Sequence, residues 1–211
     1  MHILRIDPKK PDAASLKKAA SVLKAGGLVV YPTETAYALG CDPKSAKAVK
    51  RLFSVKARDA SKPLPLIAAT RSQASKTARS GVFARALADA FWPGPLTLVA
   101  PAAARFATGV ASKRGELAVR VSPHPVAAAL AKALGRPVVS TSANRSGGVT
   151  AYDIPSVLAQ LGALPELVLD AGSLKQAPVS TIVRASDGVV EILREGAVSE
   201  DDLHRALMKT L

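Results

Sequence analysis

Short apolar segments with strand character alternate with amphipathic helical segments along almost the whole chain. A chain that alternates in this way folds as an α/β protein, because each helix buries its apolar side on a sheet. Predicted strands cover residues 28–33, 63–69, 96–101, 117–122, 137–141, 166–172, 179–186 and 188–196. Predicted helices cover residues 12–25, 82–92, 124–135, 153–161 and 199–209, and another helix begins at residue 43.

Local signals mark several helix ends. Asp12 predicts an N-cap for the first helix. Asp42 followed by Pro43 predicts a second N-cap, with proline at the first helical position. His124 stands where a third helix begins and Gly135 where it ends, so capping is the expected role of this histidine. The helix after Asp42 is predicted to turn Ala46, Val49 and Phe53 inward.

The last two predicted strands are joined by Asp187 and Gly188, a short turn that indicates a hairpin. Hairpins mixed with β-α alternation predict an α/β fold with a twisted mixed β-sheet flanked by helices. The sequence contains no fixed-period repeat, low-complexity tract or linker. We therefore expect one domain over residues 1–211.

The charge of the chain is distributed unevenly. Residues 1–150 hold 24 Lys and Arg against 7 Asp and Glu, a net charge of +17, whereas residues 151–211 hold 5 against 9, a net charge of −4. This balance favours an anionic partner, either a nucleotide or RNA, and a surface that is merely basic is the alternative. No apolar run reaches membrane-spanning length and the N-terminus lacks a signal-peptide pattern, so we expect a cytoplasmic protein without a membrane partner.

Several common catalytic motifs are absent. The sequence has no phosphate-binding G-x-x-x-x-G-K-[ST] loop, no G-x-G-x-x-G after a strand and no G-x-S-x-G nucleophile elbow. Three separated histidines and one cysteine, Cys41, form no metal-ligand spacing, and we expect Cys41 to be a packing residue. A Ser-His-Asp arrangement remains open, but the remaining motifs favour binding by hydroxyls, amides and cations.

Two polar segments follow predicted strands or helices. In "YPTETAYALG" (31–40), Thr35 and Glu34 stand where a buried strand ends, the position at which open sheets present ligand-binding groups. In "KARDASKPLPL" (56–66), three cations lie in a loop and suit a triphosphate. An ordinary turn and a solvated basic loop are the respective alternatives. These three cations are Lys56, Arg58 and Lys62.

Two further segments place polar groups within strands. Arg120 lies in "LAVRVS" among apolar residues, so it either points to solvent or faces a carboxylate ligand. In "VSTSANRSGG" (139–148), short hydroxyl and amide side chains follow a buried strand, and two glycines permit close backbone approach. The polar side chains of this segment include Ser140, Thr141, Ser142 and Asn144.

Taken in order, these segments resemble a known family. "GGLVVYPTETAYALGCDP", "KARDASKPLPLI", "WPGPLTLV", "LAVRVSPHP" and "PVVSTSANRSGG" are similar to the motifs of the single-domain, YrdC-like threonylcarbamoyl-AMP synthase family. The resemblance covers residues 15–195, and its most specific part is the K-x-R and S-x-N pair. It implies a twisted α/β sheet with a basic concave face.

The resemblance implies an enzyme that forms L-threonylcarbamoyladenylate and pyrophosphate from L-threonine, bicarbonate or CO₂, and ATP, with Mg²⁺ bridging the phosphates. The product would serve the synthesis of N6-threonylcarbamoyladenosine in tRNA. tRNA and a downstream threonylcarbamoyl-transferase complex are therefore expected partners. N-carboxy-threonine, formed from the amine and CO₂, is already ionised and needs no protein base to attack the α-phosphorus.

The resemblance also implies roles for individual residues, with no protein ligand to a metal. Lys56 and Arg58 resemble the catalytic cations. The implied ATP-binding residues are Arg58, Lys62, Ser142, Asn144, Thr150 and Arg194. The implied threonine-binding residues are Thr35, Arg120, Ser140 and Ser180.

The sequence departs from the family pattern at Asp59, where proline is common, and at Ile67-Ala68, where some members carry histidine. Three alternatives remain open. An RNA-binding accessory protein would fit the basic body, although aromatic residues for base stacking are few. A YciO-like paralogue would share the fold without adenylate synthesis. A carbamoyl-transfer module related to hydrogenase-maturation proteins would need further segments.

Overall fold

Residues 1–186 and 188–209 are described by a computed structural model, in which the strands form two mixed sheets flanked by helices. The predicted mixed α/β class is confirmed, with the strands divided between two sheets rather than gathered in one. The strands are β1 (His2–Arg5), β2 (Val29–Pro32), β3 (Tyr37–Gly40), β4 (Leu66–Ala68), β5 (Leu96–Pro101), β6 (Glu116–Val121), β7 (Val138–Val139), β8 (Thr141–Ser142), β9 (Leu167–Asp170), β10 (Thr181–Ser186) and β11 (Val189–Arg194). The helices are α1 (Ala13–Lys24), α2 (Ala46–Val55), α3 (Arg71–Ser75), α4 (Val82–Phe91), α5 (Pro125–Leu134), α6 (Ile154–Gln160) and α7 (Glu200–Met208).

The two sheets differ in size and strand direction. The five-stranded sheet has the order β1-β9-β2-β3-β8, in which β9 pairs parallel with β1 and β2, while β3 pairs antiparallel with β2 and β8. The six-stranded sheet has the order β11-β10-β5-β6-β4-β7. Its parallel pairs are β10 with β5 and β4 with β6, and the other pairs are antiparallel. The predicted hairpin of β10 and β11 is confirmed, although Asp187 in its turn lies outside the described residues.

The chain changes sheets at Ser140. β7, before this residue, pairs with β4 in the six-stranded sheet, whereas β8, after it, pairs with β3 in the five-stranded sheet. The amide of Ser140 donates to the carbonyl of Pro65, 2.8 Å away, and the Tyr31 hydroxyl donates to the Val139 carbonyl at 3.1 Å. The single strand predicted over 137–141 is therefore two short strands, and Ser140 lies at the junction between the sheets.

Apolar helix faces cover the five-stranded sheet on one side. α1 and α5 pack against each other and against β2 and β9. Leu16, Leu23, Val126 and Leu130 are buried there with the inward side chains of these strands. A second, larger apolar cluster includes residues of both sheets and of α2 and α4. The two clusters give each sheet a buried face, which orients the side chains on its opposite face.

Most predicted helix caps are present. The Asp12 carboxylate accepts from the amide of Ser15 at 2.8 Å, and the His124 ring nitrogen Nδ1 accepts from the amide of Val126 at 3.3 Å. Gly135 ends α5 with a φ of 77°, a conformation that glycine adopts without steric cost. The capping role predicted for His124 is therefore confirmed.

The predicted N-cap at Asp42 is wrong. α2 begins three residues after Pro43, at Ala46, and Ser45 is its cap. The Asp42 carboxylate instead accepts from the amide of Lys44 at 2.9 Å and forms an ion pair with Arg136 at 3.3 Å. The later start shifts the buried face of α2, which consists of Ala48, Val49, Leu52 and Val55, so that Ala46 is exposed and Phe53 only half-buried.

Three elements were not predicted. β1 has only one half-buried side chain and lies at a sheet edge, β3 directly follows the turn after β2, and α3 has five residues. Their short length leaves too few residues for a periodic pattern. None of the helices in the described part of the chain combines the length and apolar character needed to cross a membrane.

Candidate active site

A cleft of about 780 Å³ lies between the two sheets. Its walls come from the β2–β3 turn, the loop before β4, the segment around β8 and the exposed face of the six-stranded sheet. Of the eleven predicted site residues, nine line this cleft, and Lys56 and Asn144 are buried beside it. The nine are Thr35, Arg58, Lys62, Arg120, Ser140, Ser142, Thr150, Ser180 and Arg194.

The floor of the cleft follows from strand alternation. Glu116, Ala118 and Arg120 are two residues apart on β6, so their side chains share one face of the sheet. Thr97 and Val99 on β5 extend this face. The same alternation buries Leu117, Val119 and Val121 on the opposite face. An apolar strand can thus carry one arginine into a cleft without disturbing the core.

Arg120 is only 7% exposed and its charge is compensated by Glu34. The Arg120 Nη1 forms an ion pair with Oε1 of Glu34, and the Ser122 hydroxyl donates to Oε2 of the same carboxylate. Burial lowers the pKa of Arg120 to about 10, so the guanidinium remains charged at neutral pH. Arg120 therefore lines the cleft near the end of β6 as a charged guanidinium that is paired with Glu34.

Hydroxyl groups and a second arginine surround this end of the cleft. The side-chain oxygens of Thr97 and Ser180 lie 3.0 Å apart, and both residues are buried. Arg194 Nη2 donates to the carbonyl of Ser180 at 2.5 Å and to its hydroxyl at 3.0 Å. Across the cleft, the hydroxyls of Thr33 and Thr35 lie 3.1 Å apart. Short donors and acceptors therefore occupy both walls beside Arg120.

Arg58 and Lys62 lie on one loop, which is held by hydrogen bonds from the Arg58 side chain to main-chain carbonyls of the same loop. Arg58 donates from Nη2 to the Pro63 carbonyl at 3.0 Å and from Nε to the Lys62 carbonyl at 3.3 Å. The Arg58 guanidinium is half-buried, and burial lowers its pKa. The Lys62 side chain is exposed at the rim. The two cations thus lie on one wall of the cleft.

The turn between Lys56 and Arg58 depends on Ala57, which has a φ of 46°. The amide of Arg58 donates to the Phe53 carbonyl at 3.0 Å and that of Ala57 to the Ser54 carbonyl at 3.1 Å, which is the Schellman pattern at a helix end. Glycine usually occupies this left-handed position. The turn separates the two cations of the K-x-R motif, one buried and one lining the cleft.

Lys56 does not line the cleft and is 1% exposed. Its ammonium donates to the main-chain carbonyls of Ser142 and Asn144, each 2.5 Å away, and lies 3.3 Å from the Asn144 side-chain oxygen. Burial lowers the pKa of Lys56 to about 8, and the nearby charge of Arg58 acts in the same direction. Lys56 thus binds the segment that carries the S-x-N motif.

Asn144 completes this arrangement. Its side-chain oxygen accepts from the Ser142 hydroxyl at 2.6 Å, and its amide nitrogen donates to the carbonyls of Gly148 at 2.7 Å and Val149 at 3.2 Å. The asparagine therefore fixes the loop that leads from Ser142 to Thr150, both of which line the cleft. Lys56 and Asn144 do not line the cleft, but their hydrogen bonds hold the loop that forms one of its walls.

Several residues that line the cleft were not predicted, among them Thr97, Glu116 and Arg184. Glu116 and Arg184 form an ion pair at 3.0 Å, and Arg184 also pairs with Glu191. The available signals were the polar Thr97 within the buried strand "LTLVAP" and the four-residue spacing of Glu116 from Arg120, which places both on one face of β6. Neither signal indicates which residues share a cleft, because that depends on how β5, β6 and β10 pair.

The cleft suits an anionic ligand and offers little to a metal. Among the described residues that line it, the cations are Arg58, Lys62, Arg120, Arg184 and Arg194, and the single carboxylate is Glu116. Within the same part of the chain, no group of three or more His, Cys, Asp and Glu side chains is arranged to hold a metal ion. Cys41 is buried, and burial raises its thiol pKa, so its predicted packing role agrees with the structure.

Comparison with known proteins agrees with the sequence motifs. A family model named Sua5/YciO/YrdC, with the description "Telomere recombination", matches residues 21–196. A protein of Alkalilimnicola ehrlichii named "Threonylcarbamoyl-AMP synthase" is 45% identical over 148 residues, which cover 70% of this chain and 77% of that protein.

Two solved structures share the fold. P. abyssi Sua5, crystallised with L-threonine, superposes with a TM-score of 0.90 at 29% identity over 98% of this chain. The chain spans only 61% of the length of that Sua5 chain. E. coli YciO superposes with a TM-score of 0.82 at 26% identity, covering 93% of this chain and 96% of YciO. With its motifs, its two-sheet fold and a family match over residues 21–196, this chain belongs to the Sua5/YciO/YrdC family.

Proposed function

We propose that this chain is a threonylcarbamoyl-AMP synthase, which forms L-threonylcarbamoyladenylate and pyrophosphate from L-threonine, bicarbonate or CO₂, and ATP. The observation that carries the proposal is a single cleft lined both by Arg120 and by the pair Arg58 and Lys62. The first suits an amino-acid carboxylate and the second suits phosphates. The names of the curated relatives and the L-threonine bound to P. abyssi Sua5 support the same ligands.

L-threonine is proposed to bind at the end of the cleft that contains Arg120. The guanidinium would bind the α-carboxylate. The hydroxyls of Thr35, Ser140 and Ser180 would contact the amine and the side-chain hydroxyl, since each is short and lies at the cleft wall. Thr97 extends this polar surface through its contact with Ser180.

ATP is proposed to bind across the opposite wall. Arg58 and Lys62 would bind the phosphates, and Ser142, Thr150 and Arg194 would contact the nucleotide. The catalytic contact proposed for the K-x-R motif is then made by Arg58. Lys56 and Asn144 would act on the nucleotide by fixing the loop between Ser142 and Thr150, because their polar groups are bound to that loop.

The proposed chemistry needs positioning more than proton transfer. The threonine amine adds to CO₂ and loses a proton to give N-carboxy-threonine. One carboxylate oxygen then attacks the α-phosphorus of ATP, a P–O bond forms, and the bond to the β-phosphate oxygen breaks to release pyrophosphate. The role of Arg58 and Lys62 is to stabilise charge on the departing pyrophosphate.

Mg²⁺ is not assigned to residues of this chain. The carboxylate of Glu116, which lies at the cleft, is already paired with Arg184, and hard divalent cations prefer several oxygen ligands. Any Mg²⁺ that enters with ATP would be held by the phosphates.

We further propose that the product serves N6-threonylcarbamoyladenosine formation in tRNA, that a tRNA threonylcarbamoyl-transferase complex receives it, and that the chain acts in the cytoplasm as one domain over residues 1–211. The charge of +17 over residues 1–150 supports contact with tRNA, and with it the basic concave face expected of the fold.

The test is pyrophosphate release from ATP, measured with and without L-threonine and bicarbonate. We expect release only when both are present. The similarity to E. coli YciO keeps a paralogue without adenylate synthesis as the second candidate, and its full-length match is the observation in its favour. Absence of turnover despite measurable ATP binding would support that candidate. RNA binding without turnover would support an RNA-binding protein.

A further inference from the structure

Glu34 forms an ion pair with Arg120 but is not among the described residues that line the cleft. Arg120 lines the cleft, whereas neither Glu34 nor Ser122 is among the described residues that do so. The Arg120 Nη1 and Glu34 Oε1 atoms are both buried and face each other as an ion pair. The carboxylate therefore engages one nitrogen of the guanidinium, and Arg120 still lines the cleft.

Both oxygens of Glu34 are occupied. Oε1 pairs with Arg120, and Oε2 accepts from the Ser122 hydroxyl, whose oxygen in turn accepts from the amide of His124 at 3.1 Å. Ser122 and Arg120 are two residues apart, so one face of the chain at the end of β6 holds both contacts. The β2–β3 turn that carries Glu34 is closed by Thr33, whose hydroxyl donates to the Ala36 carbonyl at 2.7 Å.

This arrangement fixes the direction of a charged group that is otherwise mobile. An arginine side chain has four rotatable bonds and a planar set of five N–H donors, and bidentate binding of a carboxylate needs one edge of that plane in a set direction. Among the described residues, Glu34 is the sole ion-pair partner of Arg120. Losing Glu34 would leave the guanidinium buried, unpaired and free to turn.

We propose that Glu34 is a positioning residue for amino-acid selection: by holding Nη1 of Arg120, it directs the remaining N–H groups at the α-carboxylate of the substrate. This inference rests on the proposed function, because it takes the ligand of Arg120 to be an amino-acid carboxylate. Glu34 itself touches no substrate, and Ser122 supports it by fixing its second oxygen.

The test compares L-threonine with L-threoninamide, which lacks the α-carboxylate, by calorimetric titration of the full chain. Wild type should bind L-threonine at least about tenfold more tightly, as expected for charge-assisted hydrogen bonds. Glu34→Gln should weaken L-threonine binding about tenfold and leave L-threoninamide and a non-hydrolysable ATP analogue unchanged. Ser122→Ala should also lower the ratio of the affinity for L-threonine to the affinity for L-threoninamide, but by a smaller factor.

Glu191→Gln is the matched control, since Glu191 is an exposed acid that pairs with an arginine but does not line the cleft. It should leave the ratio of the two affinities unchanged. The inference would be overturned if Glu34→Gln lost affinity equally for L-threonine, L-threoninamide and the ATP analogue. It would also be overturned if neither Glu34→Gln nor Ser122→Ala changed the ratio of the affinities for L-threonine and L-threoninamide. Failure of wild type to bind L-threonine at all would instead reject the proposed function, and this inference with it.

Discussion

The ammonium of Lys56 lies 2.5 Å from the main-chain oxygen of Asn144, although 88 residues separate the two in sequence. This contact joins the K-x-R motif to the S-x-N motif inside the protein. Arg58 and Ser142, the other members of the two motifs, line the cleft. Each motif therefore contributes one residue that shapes the wall and one that faces the ligand.

The buried ammonium of Lys56 gives a pH-dependent stability that Lys56→Met would remove. Burial lowers the folded-state pKa to about 8 from an unfolded value of 10.5, so between these values the unfolded chain binds more protons and stability rises with pH. At 1.36 kcal/mol for each pKa unit, the free energy of unfolding of wild type should rise by about 2 kcal/mol relative to Lys56→Met between pH 7.5 and 9.5.

Urea unfolding of both proteins across this range measures the difference. A constant difference from pH 7.5 to 9.5 would mean that Lys56 titrates as an exposed lysine, and the buried contacts would then be wrong. Lys56→Met should also weaken ATP-analogue binding while leaving L-threonine binding unchanged, since Lys56 fixes the loop from Ser142 to Thr150.

Ala57→Gly should stabilise the protein. Ala57 has a φ of 46°, and a left-handed conformation costs a residue with a Cβ about 1–2 kcal/mol. Glycine removes this cost but loses about 0.5–1 kcal/mol of backbone entropy on folding, so we expect a net gain of about 0.5–1 kcal/mol. Thermal unfolding of the two proteins provides the measurement. A lower midpoint for Ala57→Gly would contradict the Schellman turn that separates Lys56 from Arg58.

Arg58→Ala should lower kcat/KM for ATP-dependent pyrophosphate release by about 30- to 1,000-fold, the range expected when about 2–4 kcal/mol of transition-state stabilisation is lost. Arg145→Ala is the control, because Arg145 is an exposed cation that does not line the cleft. Its activity should stay within about twofold of wild type, as usual for surface substitutions. Equal losses in the two variants would indicate a general effect of positive charge rather than a contact by Arg58.

The sequence predicted those parts of the fold that depend on neighbouring residues. Asp12 and His124 cap their helices because the polar atom and the amide it accepts from are two or three residues apart. The same local reasoning failed at Asp42, where Arg136, from a distant part of the chain, and the amide of Lys44 engage the carboxylate and Ser45 caps the helix instead.

The partition of strands between two sheets could not be predicted in this way. The segment around Ser140 has the apolar pattern of one strand, yet its halves pair with β4 and β3 in different sheets. Pairing depends on which edges meet after folding, and the pattern of a single strand carries no information about its partner.

The sequence motifs predicted which residues belong to the candidate site, but not how deeply each of them is buried. The motifs indicated Lys56 and Asn144 together with Arg58 and Ser142, but a lysine in a basic loop gives no sign that its ammonium is buried on main-chain carbonyls. The sequence indicates Glu34 only as a polar residue at the end of a buried strand. Its ion pair with Arg120 depends on the turn between β2 and β3 meeting the end of β6.

One cleft is proposed to join an amino acid, a one-carbon unit and a nucleotide. Mass spectrometry of the reaction with L-threonine, ATP and ¹³C-bicarbonate tests it most directly. We predict threonylcarbamoyl-AMP with a single ¹³C atom, formed in equal amount with pyrophosphate and absent when L-threonine is omitted. ATP consumed without a labelled adenylate, or an adenylate formed without L-threonine, would contradict the account.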